Sequence, residues 1–137
     1  MSDTFLTLHL DRIMQAHNMT AFVLKSDQKR FAIYTLPEVG KMLEGALAGE
    51  KPKRPSTHHL IRSVLTGLNA KLLQVVIWDV HDTVYTARLF LEQQRKTTTQ
   101  MLEVDARPSD CLALALLHRV PILCRQEVIE KVIPIED

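Results

Sequence analysis

The chain has 137 residues, of which 46% are hydrophobic, and a formal net charge of +1. That length fits one domain of ordinary size with its own core, and that composition excludes a disordered chain. The near-neutral charge and the 5% aromatic content exclude a strongly basic nucleic-acid binder and a large base-stacking platform, so any nucleic-acid contact must be local, weak or assembled by oligomerisation.

No apolar run approaches the roughly 18 residues needed to span a bilayer. The start, Met1-Ser2-Asp3-Thr4, lacks the basic segment of a secretion signal. A cytoplasmic protein without a membrane segment is therefore expected. Cys111 and Cys124 form no metal-ligand series and are expected as two buried thiols rather than a disulfide.

Residues 5–10 alternate, with Leu6, Leu8 and Leu10 on one face, and predict a first strand. Residues 21–24 and 31–36 predict the second and third, joined by the polar connector 26–29. Leu36-Pro37-Glu38 starts a helix: proline suits the first helical position and the glutamate suits the positive end of the helix dipole. Val39, Met42, Leu43, Ala46 and Leu47 recur at helical spacing, and Gly49 marks the stop.

A charged linker, 50–55, leads to a second helix. Ser56 or Thr57 caps it, and Leu60, Ile61, Val64, Leu65 and Leu68 form its apolar stripe. Residues 72–80 and 84–92 predict a hairpin around His81-Asp82-Thr83. Residues 98–106 predict the next strand. Arg107-Pro108-Ser109-Asp110 then opens a helix whose body, 111–117, is apolar on every side and so is buried all round. A short strand at 121–123 and a helix at 126–132 close the chain.

The expected class is α+β: one domain over 1–137, a mixed or antiparallel sheet with packed helices. The order reads as two halves of similar β-β-β-α-α outline, with Leu36-Pro37 in the place of Arg107-Pro108, a pattern compatible with internal duplication.

Two segments concentrate the informative polar residues. In the strand before Pro108, Leu102, Val104 and Ala106 share one face, and Glu103, Asp105 and Arg107 the other. A hairpin centred on its loop would set Arg88 beside Glu103 and Thr86 beside Asp105. Arg88 with Glu103 reads either as an ordinary cross-strand ion pair or as part of a site. Asp110 reads either as a helix N-terminal anion or as a functional carboxylate. The segment 54–59, Arg-Pro-Ser-Thr-His-His, reads either as a capped helix with two exposed histidines or as a helix N-terminus that collects phosphate with Arg54. His58 would then exchange protons near neutral pH.

These same segments carry a resemblance. Asp105-Ala106-Arg107-Pro108-Ser109-Asp110, the Ala- and Leu-rich run that follows, and Val120-Pro121-Ile122 resemble the bifunctional nuclease, or DNase–RNase domain, family, whose motif is D-A-R-P-S-D, an apolar helix and a Pro-led strand. Arg54-Pro55-Ser56-Thr57-His58-His59-Leu60 is similar to that family's R-P-x-T-H-D-L, and the hairpin 75–91, with Tyr85-Thr86-Ala87-Arg88-Leu89, fits the pattern between them. The resemblance covers essentially the whole chain. Three positions depart from it. His59 stands where the family has an acid, residues 33–38 lack its Ile-Gly pair, and Cys111 replaces an alanine.

The resemblance implies hydrolysis of phosphodiester bonds in DNA and RNA. DNA has no 2′-hydroxyl, so water must be the nucleophile, activated by a base or a metal ion. Asp105 and Asp110, with Glu103, are the candidates for a base or metal-binding role, and His58 for protonating the leaving oxygen. Arg107, Arg54 and Arg88, with Thr57, are the candidates for holding phosphate. A shared site requires Asp105 and His58 to approach each other. A divalent ion, Mg²⁺ or Mn²⁺, is the expected cofactor, with no ligand set assigned, and no organic cofactor is expected. A homo-oligomer is compatible with the sequence. The alternative is a non-catalytic module that binds nucleic acid or protein as a regulator. In that case the D-A-R-P-S-D turn is a latch from strand to helix. A third option is an oligomer binding small anions at its helix N-termini.

Overall fold

A computed structural model describes residues 4–135. It contains β1 (Phe5–Gln15), β2 (Thr20–Lys25), β3 (Arg30–Thr35), α1 (Pro37–Leu47), α2 (Thr57–Gly67), β4 (Ala70–His81), β5 (Val84–Gln94), β6 (Thr99–Ala106), α3 (Pro108–His118), β7 (Ile122–Arg125) and α4 (Gln126–Lys131). The strands form one mixed seven-stranded sheet in the order β3-β2-β1-β7-β4-β5-β6. Every neighbouring pair is antiparallel except β4 and β7. The α+β class and the element order are as expected from the sequence.

β1 runs five residues beyond the alternating stretch that predicts it, 5–10. Its register shifts between Leu10 and Arg12, and the pairing with β2 then continues to Gln15. A bulge of this kind absorbs a break in alternation without ending the strand, so the polar pair Asp11-Arg12 is not a strand end.

One face of the sheet is covered by helices. Leu8, Phe22, Leu24, Phe31, Leu72, Val75 and Ile77 from the strands join Leu43 of α1, Cys111–Ala115 of α3 and Val128 and Ile129 of α4 in one core cluster. α3 is buried by Cys111, Leu112, Ala113, Leu114 and Ala115 in succession, as its all-round apolar sequence requires. α1 lies so close to the sheet that a Cβ on Gly40 would fall 2.3 Å from the Thr20 hydroxyl oxygen. Both cysteines are free and buried, and burial pushes each thiol up to about 12. They are small core hydrophobes with no thiolate chemistry at neutral pH.

Two expectations are corrected. The first concerns α2. Leu60, Val64 and Leu68 are exposed, at 59%, 50% and 54%, and only Ile61 and Leu65 of the expected stripe pack on the core. The buried residues of α2 are instead His58 and His59. The helix is rotated so that its first-turn histidines face inward.

The second concerns the β5–β6 register. Arg88 pairs with Asp105 and Phe90 with Glu103, two residues from the centred-hairpin expectation. Gln93 and Gln94 continue β5 instead of belonging to the loop, and the turn closes with the Arg95 N–H donating to the Thr98 carbonyl.

Candidate functional site

α2 begins at Ser56, whose hydroxyl oxygen accepts from the His59 N–H at 3.2 Å while His59 Nδ1 accepts from the Ser56 N–H at 3.1 Å. This is a capping box in which histidine does the work usually given to glutamate. His59 thus keeps the N-terminal capping contact that an acid would make at this position. It can accept that bond only while its Nδ1 is unprotonated. Burial, reinforced by Arg62 and His58, lowers the pKa of its imidazole and favours that neutral form.

The cap fixes the first turn and turns His58 inward, toward the start of α3. His58 Nε2 meets Asp110 Oδ1 at 3.0 Å across 52 positions of sequence. Arg107 grips the same carboxylate with two bonds, Nε to Oδ2 at 2.8 Å and Nη2 to Oδ1 at 3.2 Å. The His58 side chain is 10% exposed, that of Asp110 26% and that of Arg107 77%, so the cluster grades from core to solvent. Burial alone would raise the Asp110 carboxyl. The hydrogen bonds from Arg107 and His58, with their charge, outweigh it and hold the group below the usual carboxylate range. Asp110 is therefore ionised at neutral pH. The same contact raises the Arg107 pKa further.

Glu103, Asp105 and Arg88 gather elsewhere. Ala87 and Leu89 point into the core, so Arg88 between them points to the opposite, helix-free face. There its guanidinium bonds the Glu103 carboxylate and lies 3.4 Å from Asp105 Oδ1. It also sits 3.9 Å from the centre of the Trp78 ring, with Arg125 at 5.0 Å from that same ring. Asp105 is 90% exposed. The structure thus brings His58, Asp110 and Arg107 together on the helix side, and Arg88, Glu103 and Asp105 together on the other. His58 is bonded to Asp110, not to Asp105. Arg54 and Thr57 flank the start of α2 and are exposed.

The Trp78 stack has no sequence signal, because a register shift between Ile77 and Asp79 sets that ring over Arg88. The apolar surface beside Arg107, formed by Tyr34, Leu36, Val84 and Ile133, is equally silent: its members come from three distant segments. Among the described residues, no three His, Cys, Asp or Glu side chains group as metal ligands. Both oxygens of Asp110 already face cationic or N–H donors, so this donor set does not fit a resident metal ion. No helix of the described residues is long and apolar enough to cross a membrane.

Two curated relatives are the uncharacterized proteins MT1877 and Rv1829 from two strains of Mycobacterium tuberculosis. Each is 36% identical over 81 residues, which is 59% of this chain and 45% of the relative. The match thus spans a little under half the length of those relatives. The pattern of the bifunctional nuclease domain matches residues 22–135. That stretch takes in both halves of the His58–Asp110–Arg107 cluster and the sheet apart from β1 and the first two residues of β2, and the chain belongs to the bifunctional nuclease domain family.

Proposed function

We propose that this chain hydrolyses phosphodiester bonds of DNA and RNA, with His58 and Asp110 as a proton-transfer pair and Arg107 as the phosphate anchor. The observation that supports it is the 3.0 Å contact between His58 and Asp110 on a carboxylate that Arg107 also holds. Ionised Asp110 accepts the His58 Nε2–H, which leaves Nδ1 of the neutral ring as the proton acceptor. In that state His58 takes a proton from the attacking water. As the imidazolium it donates to the leaving oxygen, and Asp110 balances the charge that forms.

Arg107 spends two N–H donors on Asp110 and keeps the rest of its five for the non-bridging phosphate oxygens. Arg54 and Thr57, at the start of α2, extend the same anion-binding edge. Neither role needs a 2′-hydroxyl, so the two sugars are treated alike. Asp105, Glu103 and Arg88 act outside this pair, on the opposite face. The reading takes the 137 residues as one domain acting on nucleic acid in the cytoplasm, alone or as a homo-oligomer.

The test is cleavage of labelled single-stranded DNA and RNA by purified protein, in EDTA and with Mg²⁺ or Mn²⁺, beside His58→Asn and Asp110→Asn. Cleavage by the wild type that both folded variants lose supports the reading. Activity that EDTA abolishes and Mg²⁺ or Mn²⁺ restores would assign activation of water to an ion that arrives with the substrate phosphate. Equal cleavage by all three proteins would sink it.

A second reading rests on the same contact. Arg107, Asp110 and His58 form a closed latch between α2 and the start of α3, which suits a module that binds without cutting. Under that reading no protein cleaves, and a contact with several phosphates weakens steeply with added salt.

A further inference from the structure

We propose that the groove beside Arg107 is a base seat, which takes one unpaired nucleobase of the strand whose phosphate lies on that arginine. The inference rests on the nuclease reading above and deepens it. The groove has a volume of about 730 Å³ and is bounded by β3, the β4–β5 turn, the start of α3 and the residues after α4. Four apolar side chains line it at unusual exposure: Tyr34 at 59%, Leu36 at 61%, Val84 at 66% and Ile133 at 70%. Scattered apolar residues at a surface need no explanation, but a contiguous concave patch marks a binding surface. Its volume lies within the range of small-ligand sites, which pair apolar walls with a few polar groups.

The occupant follows from what borders the patch. Arg107 is both a wall of the groove and the exposed limb of the His58–Asp110 cluster. A ligand that satisfies the two together has an anionic group within reach of a guanidinium and a flat apolar body beside it. A nucleotide has that shape. The Tyr34 ring offers a stacking face. The floor is the half-buried Tyr85, stacked on Phe31 with ring centres 5.8 Å apart. Thr35, Thr83 and Ser109 supply hydroxyls and Asp82 a carboxylate to the lining, the last an acceptor for a base N–H. This set has one stacking face and few directional groups, so it suits any base. It makes no demand on the sugar, as a substrate range covering DNA and RNA requires. A base inside a duplex is stacked on both faces and has none free to offer, so the seat requires the nucleotide to leave its duplex.

The experiment is calorimetric binding of thymidine 5′-monophosphate and of 2-deoxyribose 5-phosphate to the purified chain in EDTA, so that no turnover intervenes. The wild type should bind the nucleotide at least about fivefold more tightly than the sugar phosphate, the smaller end of what one stacked base contributes. Tyr34→Ala and Val84→Ser, both at exposed positions and checked for unchanged melting, should erase that difference while sugar-phosphate binding stays within about twofold. Equal affinity for the two probes, no binding of either, or a preference that survives both substitutions would overturn the proposal. So would a variant that splits an oligomer in sedimentation while nucleotide binding is unchanged, since the groove would then seat a second copy. Base-dependent binding by a protein that cuts nothing would leave the seat standing and remove the nuclease reading. Cleavage that is equal at a normal and an abasic nucleotide would do the reverse.

Discussion

The helix side and the bare side of the sheet each carry an arginine between acidic or aromatic partners, and they are built differently. On the helix side, Asp110 is drawn from solvent and bonded by His58 and Arg107 from two separate elements. Its carboxyl is held below the ordinary range against the pull of burial. On the bare side, Arg88, Glu103 and Asp105 lie on paired strands in a solvated row, and Asp105 is almost fully exposed. In the sequence, Glu103, Asp105 and Arg107 look like one alternating row. The end of β6 at Ala106 breaks it: the first two side chains stay with the sheet and the third turns over with α3. The teaching is that period-2 spacing predicts a shared face only as far as the strand continues.

The largest expected effect tests that division directly. Asp110→Asn and His58→Asn should each lower the kcat/KM for DNA and RNA cleavage by about 10²–10⁴-fold, the usual contribution of a positioned acid or base. Asp105→Asn, on the bare face, should stay within about threefold under the same general rule that a group outside the reacting geometry adds little. A large loss from Asp105→Asn would merge the two clusters into one site and undo the comparison.

Stability should separate the two sides next. Asp110→Ala leaves buried His58 without its acceptor and should cost about 1–3 kcal/mol in chemical denaturation. Asp105→Ala removes an exposed carboxylate and should cost under about 0.5 kcal/mol. Gly40→Ala calibrates the scale on the helix side. Its methyl group meets Thr20 at 2.3 Å, and it should cost about 1–3 kcal/mol by overpacking.

Acid should act first on the helix side as well. The folded pKa values of His59 and His118 are lowered from 6.5 mainly by burial. A lowered histidine binds fewer protons in the folded than in the unfolded chain. Its stability contribution is therefore whole above the unfolded value of 6.5 and is lost as pH falls below it. Asp110 is lowered from 3.8, so its contribution is whole above that value and goes only in stronger acid. A pH series of melting temperatures should show a first decline below about 6.5. In His59→Gln, whose amide oxygen can still accept the Ser56 N–H, that decline should be shallower. A decline of unchanged slope would remove His59 from the account.

Much of this was legible beforehand, and the failures have physical causes. The segment from Asp105 to Asp110 declared a strand end, a proline-led turn and a buried helix, and each has its place in the fold. The exposed stripe of α2 was not legible. Leu60, Val64 and Leu68 satisfy helical spacing as well as buried residues do, and only the capping box shows which side turns in. The contact of His58 with Asp110 was beyond reach because a separation of 52 positions carries no pairing signal. The register of β5 on β6 lies two residues from a hairpin centred on its polar loop, since Gln93 and Gln94 look like loop in sequence and only the loop geometry fixes the alignment.

A small effect is expected at the cross-strand ion pair of the bare face. Arg88 and Glu103 form an ion pair on the bare face, with side chains 31% and 46% exposed. Water screens such a pair, and holding two long side chains in one geometry costs entropy, so a double-mutant cycle of Arg88→Ala with Glu103→Ala should give a coupling of about 0.2–1 kcal/mol. Asp105 and Trp78 are further partners of the same guanidinium, and Asp105 is almost fully exposed, so the tryptophan is the larger of the two. Arg88→Ala alone should therefore cost more than the cycle assigns to Glu103, and Trp78→Leu should remove most of that excess. Added salt should shrink the Glu103 coupling far more than the tryptophan contact. A coupling above about 2 kcal/mol, insensitive to salt, would show that this face is desolvated in solution and covered by something that binds there.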